Sequence, residues 1–522
     1  MTEYRMVYDS GSKLLKCAIA DEQGNIITLK SWEKELFRSA DGFKREWNQK
    51  NYWDKIMELT KLTIKAAKIE PKDIKYVTAS SIRPSCIFTD ENNNALFIGA
   101  QFDLRGIDYA EEIEEEFQER TGESFYQSTG RHPFLYFVPA RYKALREELE
   151  KRNSIKSIAQ YLPEDSWILV KLGGELHANI LSAAESGFFD LKTKMWHPAW
   201  NDILDLPEYF FPWPVLPGEI IGTASEEIQQ RLGLSSELEL VAGIPDTQAA
   251  LLGSQCVETG SVAAILGSTT PVQILTNRLY IDQNEQSWSG LFTCKKLVDL
   301  YYVETHSGIT GQLLKWAANL FYGNNLSDLK QRFQKLDQTF ENYDKFEMQA
   351  SIEQIIEDSV FSLLGPVPLS STQTRNTPGI FYFQSPGGID EASLTTDAFI
   401  AAIFDNIQFA ITRNIEFAAE IAKISDPSYW IVGGITRNAT LVQRFADILQ
   451  KTVTTSKNFE ASIQGMLVLC DIAANTINSL DDLKIQNENF QLLKTFKPRQ
   501  SMRKKLLTKY QIWQNLLEKY NE

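Results

Sequence analysis

Short apolar runs that end at small or polar residues recur along the chain and predict a mixed α/β fold. Strands are expected at residues 4–8, 14–20 and 26–29, joined by turns rich in Gly, Asp, Asn and Ser. Residues 51–68 carry apolar side chains at helical spacing, which predicts a helix. Further runs typical of strands follow at residues 74–79, 86–89 and 95–98.

The same order of elements returns in the second half. A strand is expected at residues 260–266, ending in a Gly-Ser-Thr-Thr turn, with another strand at 272–275. A strand at 429–432 runs directly into Gly433 and Gly434. Helices are predicted at residues 306–322, 397–423 and 441–450, followed by a charged surface helix from Lys494 onward. A strand that ends in a small, hydroxyl-rich turn thus occurs twice, and two such halves would leave a cleft where ligands commonly bind.

Length and composition narrow the class of protein. A chain of 522 residues exceeds one compact core, so two large domains are expected. The net charge of -15 gives no general attraction to nucleic acid or anionic lipid. The five cysteines lack CxxC spacing and the four histidines form no HxxxH pair, which argues against a zinc site or a disulfide framework. No secretory leader and no run of eighteen apolar residues is visible, so the expected location is the cytoplasm, without membrane association.

The two small turns are candidates for binding phosphate. Gly11 permits close approach of the backbone, Ser12 and nearby N–H groups can donate hydrogen bonds, and Asp9 can hold Mg²⁺ through water. Residues 267–270 repeat a glycine followed by hydroxyl side chains. Each turn alone is better explained as an ordinary hairpin, but the pair in matching positions favours a clamp for a polyphosphate. Neither is a Walker A loop.

The double glycine after the strand at 429–432 is a weaker candidate. Gly433 and Gly434 would let a flat ligand lie against bare backbone. A tight turn between strand and helix explains the same residues, so this segment gains weight only from the other two turns.

Asp246 is the candidate catalytic base. It follows an apolar strand and precedes a helix of small residues at 249–253, and a helix N-terminus favours the charged carboxylate. Such a carboxylate can accept the proton of a hydroxyl that attacks a phosphoryl group. The alternative is an ordinary N-cap aspartate.

Polar residues after two other strands are candidates for contacting a substrate. Asp103 and Arg105 follow one strand and Arg83 follows another, and such side chains can bind vicinal hydroxyls with directed hydrogen bonds. A surface ion pair accounts for Asp103 and Arg105 equally well.

Taken together, these segments resemble the FGGY family of carbohydrate kinases over about residues 4–475. In chain order the matching segments are residues 9–16 (D-x-G-[ST]-x-x-x-[KR]), 102–105 (W-x-D-x-R), 171–196 (K-L-T-G-E … W), 243–249 (G-G-G-D-x-Q-A), 266–269 (L-G-T-S) and 433–447 (the adenosine motif). Their order and spacing both agree with the family, which makes chance a poor explanation.

The resemblance implies an α/β fold of two ribonuclease-H-like domains, the actin-like ATPase type, around a central cleft that holds ATP, Mg²⁺ and a small sugar or polyol. The expected division is an N-terminal domain at 1–250 with the sugar site and base, a nucleotide-binding domain at 251–490 and a helical tail at 491–522. The implied roles are catalysis by Asp246, metal binding by Asp9, substrate binding by Arg83, Asp103, Arg105 and Gln248, and ATP binding by Gly11, Ser12, Lys13, Gly267, Ser268, Thr269, Gly433, Gly434 and Asn438.

The substrate stays open at this point. Residues 80–83 and 304–310 and the basic C-terminal helix are similar to those of autoinducer-2 kinases, which phosphorylate a small dihydroxy-pentanedione. A xylulokinase-like pentose or polyol kinase is the alternative within the family. A non-catalytic sensor of sugar or nucleotide is the alternative from another class, although a pure binder would not need both Asp246 and Asp9. A homodimer is considered as an assembly.

Overall fold

The computed structural model describes residues 2–100, 102–133, 137–152, 157–365, 379–383, 394–490 and 492–521. The strands of the first half are β1 (Tyr4–Ser10), β2 (Leu14–Asp21), β3 (Ile26–Glu33), β4 (Leu36–Arg38), β5 (Arg45–Trp47), β6 (Ile74–Ser81), β7 (Cys86–Thr89), β8 (Ala95–Gly99), β9 (Gln160–Leu162), β10 (His177–Asn179), β11 (Phe189–Asp190), β12 (Met195–Trp196), β13 (Trp213–Val215), β14 (Glu239–Leu240) and β15 (Ile244–Pro245). The helices of this half are α1 (Tyr52–Ala67), α2 (Ala110–Thr121), α3 (Phe125–Thr129), α4 (Val138–Lys151), α5 (Glu164–Leu172), α6 (Ile180–Glu185), α7 (Ala199–Leu204), α8 (Glu226–Leu232) and α9 (Asp246–Gly253).

The second half continues the alternation of strands and helices. Its strands are β16 (Ser261–Ile265), β17 (Thr269–Thr276), β18 (Trp288–Cys294), β19 (Val298–Ile309), β20 (Phe361–Leu363), β21 (Ile380–Tyr382), β22 (Ser428–Val432), β23 (Val453–Ser456) and β24 (Leu493–Phe496). Its helices are α10 (Gly311–Tyr322), α11 (Leu329–Gln349), α12 (Ile352–Glu357), α13 (Thr396–Ala422), α14 (Ala439–Leu449), α15 (Ala461–Ala473), α16 (Leu480–Phe490) and α17 (Gln500–Asn521).

The two halves contain sheets of the same topology. The first sheet has the order β14-β6-β1-β2-β3 with β15 beside β6, and the second has β18-β19-β17-β16-β22-β23-β24. In the first, β1, β2 and β3 are antiparallel and β6 runs parallel to β1. In the second, β16, β17 and β19 are antiparallel and β22 runs parallel to β16. The prediction of two similar α/β halves is confirmed.

Two helices, α9 and α15, pack closely where the halves meet. A Cβ on Gly465 of α15 would lie 1.9 Å from the carbonyl oxygen of Ala249 in α9, and one on Gly253 would lie 2.1 Å from that of Ala461. Only glycine permits this approach, which explains Gly253 in α9 and Gly465 in α15. The apolar core around these helices contains residues of both sheets, among them Val7 and Ile265. This packing fixes the start of α9, where Asp246 lies.

Two sequence predictions need correction. Residues 306–309 belong to β19 and not to a helix, because His306 and Ile309 pair with Pro271 and Thr269 of β17; helix α10 begins at Gly311. The segment from Lys494 is not simply a surface helix, since residues 493–496 form the edge strand β24 against β23. Helix α17 buries Trp513 against the second half. The exact division at 250 and 490 stays a prediction.

Membrane crossing by a helix is not indicated. Within the described ranges, no helix combines the length and the apolar character that a bilayer requires.

Candidate active site

Three neighbouring strands of the first sheet end at one edge and bring acidic and hydroxyl side chains together. Asp9 of β1 lies opposite Ser80 of β6, and Pro245 of β15 lies opposite Ser81. Asp246 follows Pro245 as the first residue of α9. Because parallel strands end at the same edge of a sheet, Asp9 and Asp246 are neighbours here, as ligand sites of α/β sheets commonly are.

Asp246 has the surroundings of a tuned carboxylate. The backbone N–H and the hydroxyl of Thr247 both donate to its Oδ1, at 2.7 and 3.2 Å. Burial raises the pKa of Asp246 to about 6, against the positive charge of Arg83, while the negative charge of Asp9 adds to the rise. A carboxyl group with this pKa is largely ionised at neutral pH and is a stronger base than an ordinary aspartate, which suits proton abstraction. The N-cap alternative does not describe this geometry, because the N-cap position is Pro245.

Asp9 links the two halves of the molecule. Its Oδ1 accepts a hydrogen bond from Ser80 at 3.0 Å, and its Oδ2 accepts one at 2.9 Å from Ser462, which lies in the first turn of α15. Lys16 lies 3.6 Å from the same Oδ2 and forms a closer pair, at 2.6 Å, with Glu460. Asp9 is buried, and these hydrogen bonds from both halves hold its carboxylate in one orientation.

Asp9 can supply some, but not all, of the ligands that a magnesium ion needs. In the described part of the chain, no group of three or more Asp, Glu, His or Cys side chains is arranged to hold a metal. Mg²⁺ commonly keeps several waters and binds through one or two carboxylates together with phosphate oxygens. Asp9, beside the second negative charge of Asp246, meets that requirement.

The first glycine turn is open on its outer side. Gly11 closes the hairpin by donating from its N–H to the carbonyl oxygen of Leu14 at 2.9 Å, and Ser12 is exposed. Lys13 is exposed as well, and its ammonium lies 3.1 Å from Glu33. The backbone and the hydroxyl of Ser12 are thus available to a phosphate, while Lys13 forms a surface ion pair.

The second turn has the same form. Gly267 and Ser268 are exposed, and the N–H of Gly267 donates to the carbonyl oxygen of Thr269 at 3.1 Å. Gly311, the first residue of α10, packs so closely that a Cβ there would lie 2.6 Å from the carbonyl oxygen of Gly267. Of the hydroxyl groups expected to face phosphate, that of Thr270 instead hydrogen bonds to Thr310 at 2.7 Å.

The double glycine lies at the corresponding edge of the second sheet. Val432 pairs with Ile265, so Gly433 and Gly267 follow neighbouring parallel strands. Gly433 has a φ of 102° and lies against Leu266, where a Cβ would be 2.5 Å from the carbonyl oxygen. Gly434 by contrast is exposed, and a Cβ there would meet nothing within 4 Å. The backbone is therefore bare at Gly434, as binding of a flat ligand requires.

Asn438, predicted to bind ATP, has a structural role as the N-cap of α14. It caps α14 by accepting from the N–H of Leu441 at 2.9 Å, and its amide donates to Asp337 at 2.7 Å. Burial raises the pKa of Asp337, an acidic neighbour that the motif did not indicate.

Arg83 belongs to a buried charge cluster that spans both halves. Its guanidinium lies 3.3 Å from Glu185 and 2.8 Å from Glu304 of β19. The amide of Gln248, two residues after the candidate base, donates to Glu185 at 3.3 Å. The structure therefore brings Arg83, Gln248 and Asp246 together, and the electrostatic effect of Arg83 on Asp246 agrees with this placement.

Asp103 and Arg105 form a separate, fully paired cluster. Arg105 donates through two nitrogens to both oxygens of Asp103, at 2.8 and 3.0 Å, and lies 2.5 Å from Glu46. The backbone N–H of Arg45 donates to Asp103 at 2.7 Å, and the Arg105 guanidinium stacks 4.2 Å over Phe97. The alternative prediction of an ion pair is correct, but the pair is buried and does not lie at the surface. These contacts are structural, and substrate binding by the pair stays a prediction without support from the geometry.

Several charged residues at the site were not predicted from the sequence. Lys34 is buried between Ser10, at 3.0 Å, and Glu164, at 3.7 Å, and burial lowers its pKa. Glu164 also accepts from Ser10 at 2.6 Å. Glu185 is a lone acid at the end of a short helix of small and apolar residues, which could have marked it as a buried partner. No local pattern connects Lys34 to Glu164, since their pairing depends on the tertiary fold.

Comparison with known proteins finds similarity to carbohydrate kinases. Residues 4–253 match the model of the FGGY family of carbohydrate kinases, N-terminal domain. The sugar kinase YoaC of Bacillus subtilis is 26% identical over 474 residues, covering 89% of each chain. An autoinducer-2 kinase of Escherichia coli is 21% identical over 483 residues, covering 91% of this chain and 87% of that protein. The crystal structure of xylulose kinase from Rhodospirillum rubrum superposes with a TM-score of 0.79 at 18% identity, covering 99% of both chains.

The fold and the site together define a class of protein: two ribonuclease-H-like domains of the actin-like ATPase type, with the half-buried Asp246 where the two halves meet. Within that class, residues 4–253 form the N-terminal domain of the FGGY family of carbohydrate kinases, phosphotransferases that act on an alcohol group, and the chain as a whole is similar to kinases of this kind. The resemblance drawn from the sequence motifs and the predicted fold class are both confirmed.

Proposed function

We propose that this chain transfers the γ-phosphoryl group of ATP to a hydroxyl of a small sugar or polyol, with Asp246 as the general base. The observation that carries the proposal is the meeting of Asp246, Asp9 and the open turn at Gly11 at one edge of the first sheet. The turns at Gly267 and Gly434 lie at the corresponding edge of the second sheet. A nucleotide between these edges would direct its terminal phosphate towards Asp246.

The chemistry of each residue follows from its surroundings. Asp246, with its raised pKa, accepts the hydroxyl proton as the substrate oxygen attacks phosphorus in line with the leaving oxygen. Backbone N–H groups and hydroxyls at Ser12, Ser268 and Thr269 donate to phosphate oxygens. Mg²⁺ near Asp9 would neutralise charge on the phosphates. Closure of the two domains would exclude water and so limit hydrolysis of ATP.

The other predicted site residues are proposed to bind the adenosine of ATP or the substrate. Gly433, Gly434 and Asn438 would hold the adenosine, with Gly434 giving the bare backbone. Arg83 and Gln248 would contact the substrate, since both lie beside Asp246. Lys13 is retained as a phosphate contact only if its pair with Glu33 opens.

The particular substrate is the finer part of the proposal. Autoinducer-2 is one candidate, because an autoinducer-2 kinase is among the relatives over nearly the whole chain. A pentose or polyol is the other, because xylulose and glycerol kinases share the fold. A homodimer, a cytoplasmic location and the lack of a nucleic-acid partner stay predictions.

The test is a substrate panel with the purified full-length chain. ADP release is measured with MgATP and glycerol, D-xylulose, xylitol, D-gluconate or the dihydroxy-pentanedione, and ³¹P NMR identifies the product. At least one acceptor should raise ADP release about 100-fold above the rate without acceptor, and replacing Mg²⁺ by EDTA should abolish it. If ADP release stays at the acceptor-free rate throughout while nucleotide binds, a sensor function would be favoured instead.

A further inference from the structure

The charge cluster around Arg83 has more hydrogen-bond acceptors than the protein satisfies. It comprises Arg83, Arg131, Glu185 and Gln248 from the first half and Gln273, Tyr302 and Glu304 from the second. Arg131 lies 2.6 Å from Glu185 and donates to the Tyr302 hydroxyl at 2.6 Å. The Tyr302 hydroxyl in turn donates to Glu185 at 2.5 Å. The two halves therefore share one polar network next to the base.

Two amide side chains in the cluster have a fixed orientation. The Nε2 of Gln273 donates to Glu304 at 2.5 Å, and the Nε2 of Gln248 donates to Glu185 at 3.3 Å. Rotating either amide by 180° would place a carbonyl oxygen against a carboxylate, which is unfavourable. Their Oε1 atoms are thus acceptors that face away from the carboxylates.

These acceptors have no donor in the protein. Among the residues that the structure describes, none donates to Oε1 of Gln248, Gln273 or Glu304. All three side chains are nearly or fully buried, with exposures of 0%, 0% and 2%. A buried acceptor without a donor costs about 1–3 kcal/mol, so three of them in one network favour a donor from outside the protein, either water or the hydroxyl groups of a ligand.

The charge of the cluster limits that partner. Arg83 and Arg131 balance Glu185 and Glu304, and Asp246 adds one negative charge beside them. Burial alone would raise the pKa of Glu304, but Arg83 and Arg131 bring it below its ordinary value, so Glu304 is ionised at neutral pH. A ligand with its own carboxylate or phosphate here would meet a net negative site.

We propose that Gln273 and Glu304, on β17 and β19 of the second half, are specificity-determining residues that accept hydrogen bonds from hydroxyls of a neutral polyol or sugar and disfavour sugar acids. Gln248 contributes the third acceptor, close to Asp246. This inference rests on the proposed kinase function and narrows its substrate class. It also gives the second half a part in substrate recognition, whereas the sequence motifs assign it only to nucleotide binding.

The test uses pairs of ligands that differ only in charge: xylitol with D-xylonate, and sorbitol with D-gluconate. Binding to the full-length chain is measured by calorimetry without nucleotide, which keeps it independent of phosphoryl transfer. At least one neutral member should bind at least tenfold more tightly than its acid. In Glu304→Gln this preference should shrink at least tenfold, because the repelling charge is removed while the shape is kept.

Two further variants separate recognition from folding. Gln273→Met removes the acceptor and the hydrogen bond to Glu304 but leaves the Arg83–Glu304 pair. It should weaken the neutral ligand at least fivefold, measured at a temperature where urea unfolding shows the variant to be fully folded. Glu227→Gln, at an exposed position of α8, is the matched control and should change neither ligand.

The inference is overturned if the acids bind as tightly as the neutral ligands, if no member of either pair binds, or if Glu304→Gln weakens neutral and acidic ligands by the same factor. Loss of phosphoryl transfer with retained neutral binding would instead count against the proposed kinase function alone.

Discussion

Two buried arginines in the first half show how differently the same residue type is used. Arg105 is fully engaged: Asp103 and Glu46 accept its hydrogen bonds, and Phe97 covers its face. Arg83 instead lies in a cluster with three acceptor oxygens to which no described residue donates, and beside the carboxylate of the candidate base. Both follow a strand, and both were predicted to bind sugar. The difference lies in unsatisfied hydrogen bonds, which mark a ligand site better than charge or burial alone.

The largest expected effect comes from removing the base. Asp246→Asn keeps the shape of the side chain but cannot accept a proton, so kcat should fall about 10²–10⁴-fold. Nucleotide affinity, measured by calorimetry, should change less than about threefold. Asp426→Asn, at an exposed aspartate paired with Lys451, is the matched control. Turnover of Asp246→Asn close to that of the control would remove Asp246 from its proposed role.

The two arginines can be compared directly by the same substitution. Arg83→Gln should lower kcat/KM about 10–100-fold, because Glu304 loses its paired cation, Glu185 keeps only Arg131, and the charge next to Asp246 changes. Arg105→Gln should lower the free energy of unfolding by about 3–5 kcal/mol, since Asp103 loses a buried partner, but should change kcat/KM of the folded enzyme less than about threefold.

Urea unfolding and kinetics on the folded fraction separate these two effects. Equal losses of kcat/KM in Arg83→Gln and Arg105→Gln would mean that unsatisfied hydrogen bonds do not distinguish site from scaffold in this protein.

The sequence predicted the backbone parts of the site better than its charge network. Asp9, Gly11 and Asp246 were found because a turn after a strand needs glycine and because an acid before a helix is locally visible. The pairing of Arg83 with Glu304 was not predicted, because it joins the segment after β6 to β19 through the tertiary fold. The strand at 306–309 was missed for the same reason, as its pairing with β17 overrides the local pattern.

A smaller effect is expected from pH. Because the base must be ionised, kcat/KM should fall about tenfold per pH unit below about pH 6 and level off above it. The folded-state pKa of Asp246 is raised above that of the unfolded chain, so ionising it costs stability as pH rises from about 4 to about 6. Asp246→Asn should therefore be more stable than the wild type at pH 7.5, by up to about 3 kcal/mol, and equal to it near pH 4.

Measuring kcat/KM from pH 4.5 to 8.5 checks the predicted loss of activity at low pH. Urea unfolding near pH 4 and at pH 7.5 checks the predicted difference in stability. In Arg83→Gln the kinetic midpoint should move upward, because the charge that lowers the pKa of Asp246 is gone. A midpoint near pH 4 in the wild type would contradict the burial of the base.

The smallest effect on kinetics is expected from substitution of Lys13. This residue tests whether an exposed ion pair, unlike the buried cluster around Arg83, contributes to ligand binding. Its ammonium pairs with Glu33, and both side chains are more than half exposed, so water can replace either partner at little cost. Lys13→Ala should then change the KM for ATP less than about threefold and leave the melting temperature within experimental error. Lys30→Ala, at an exposed lysine of the neighbouring strand β3, is the control. A rise of tenfold or more in the KM for ATP would show that Lys13 leaves its pair with Glu33 and binds phosphate. In that case an exposed ion pair, as well as a buried cluster with unsatisfied hydrogen bonds, would contribute to the site.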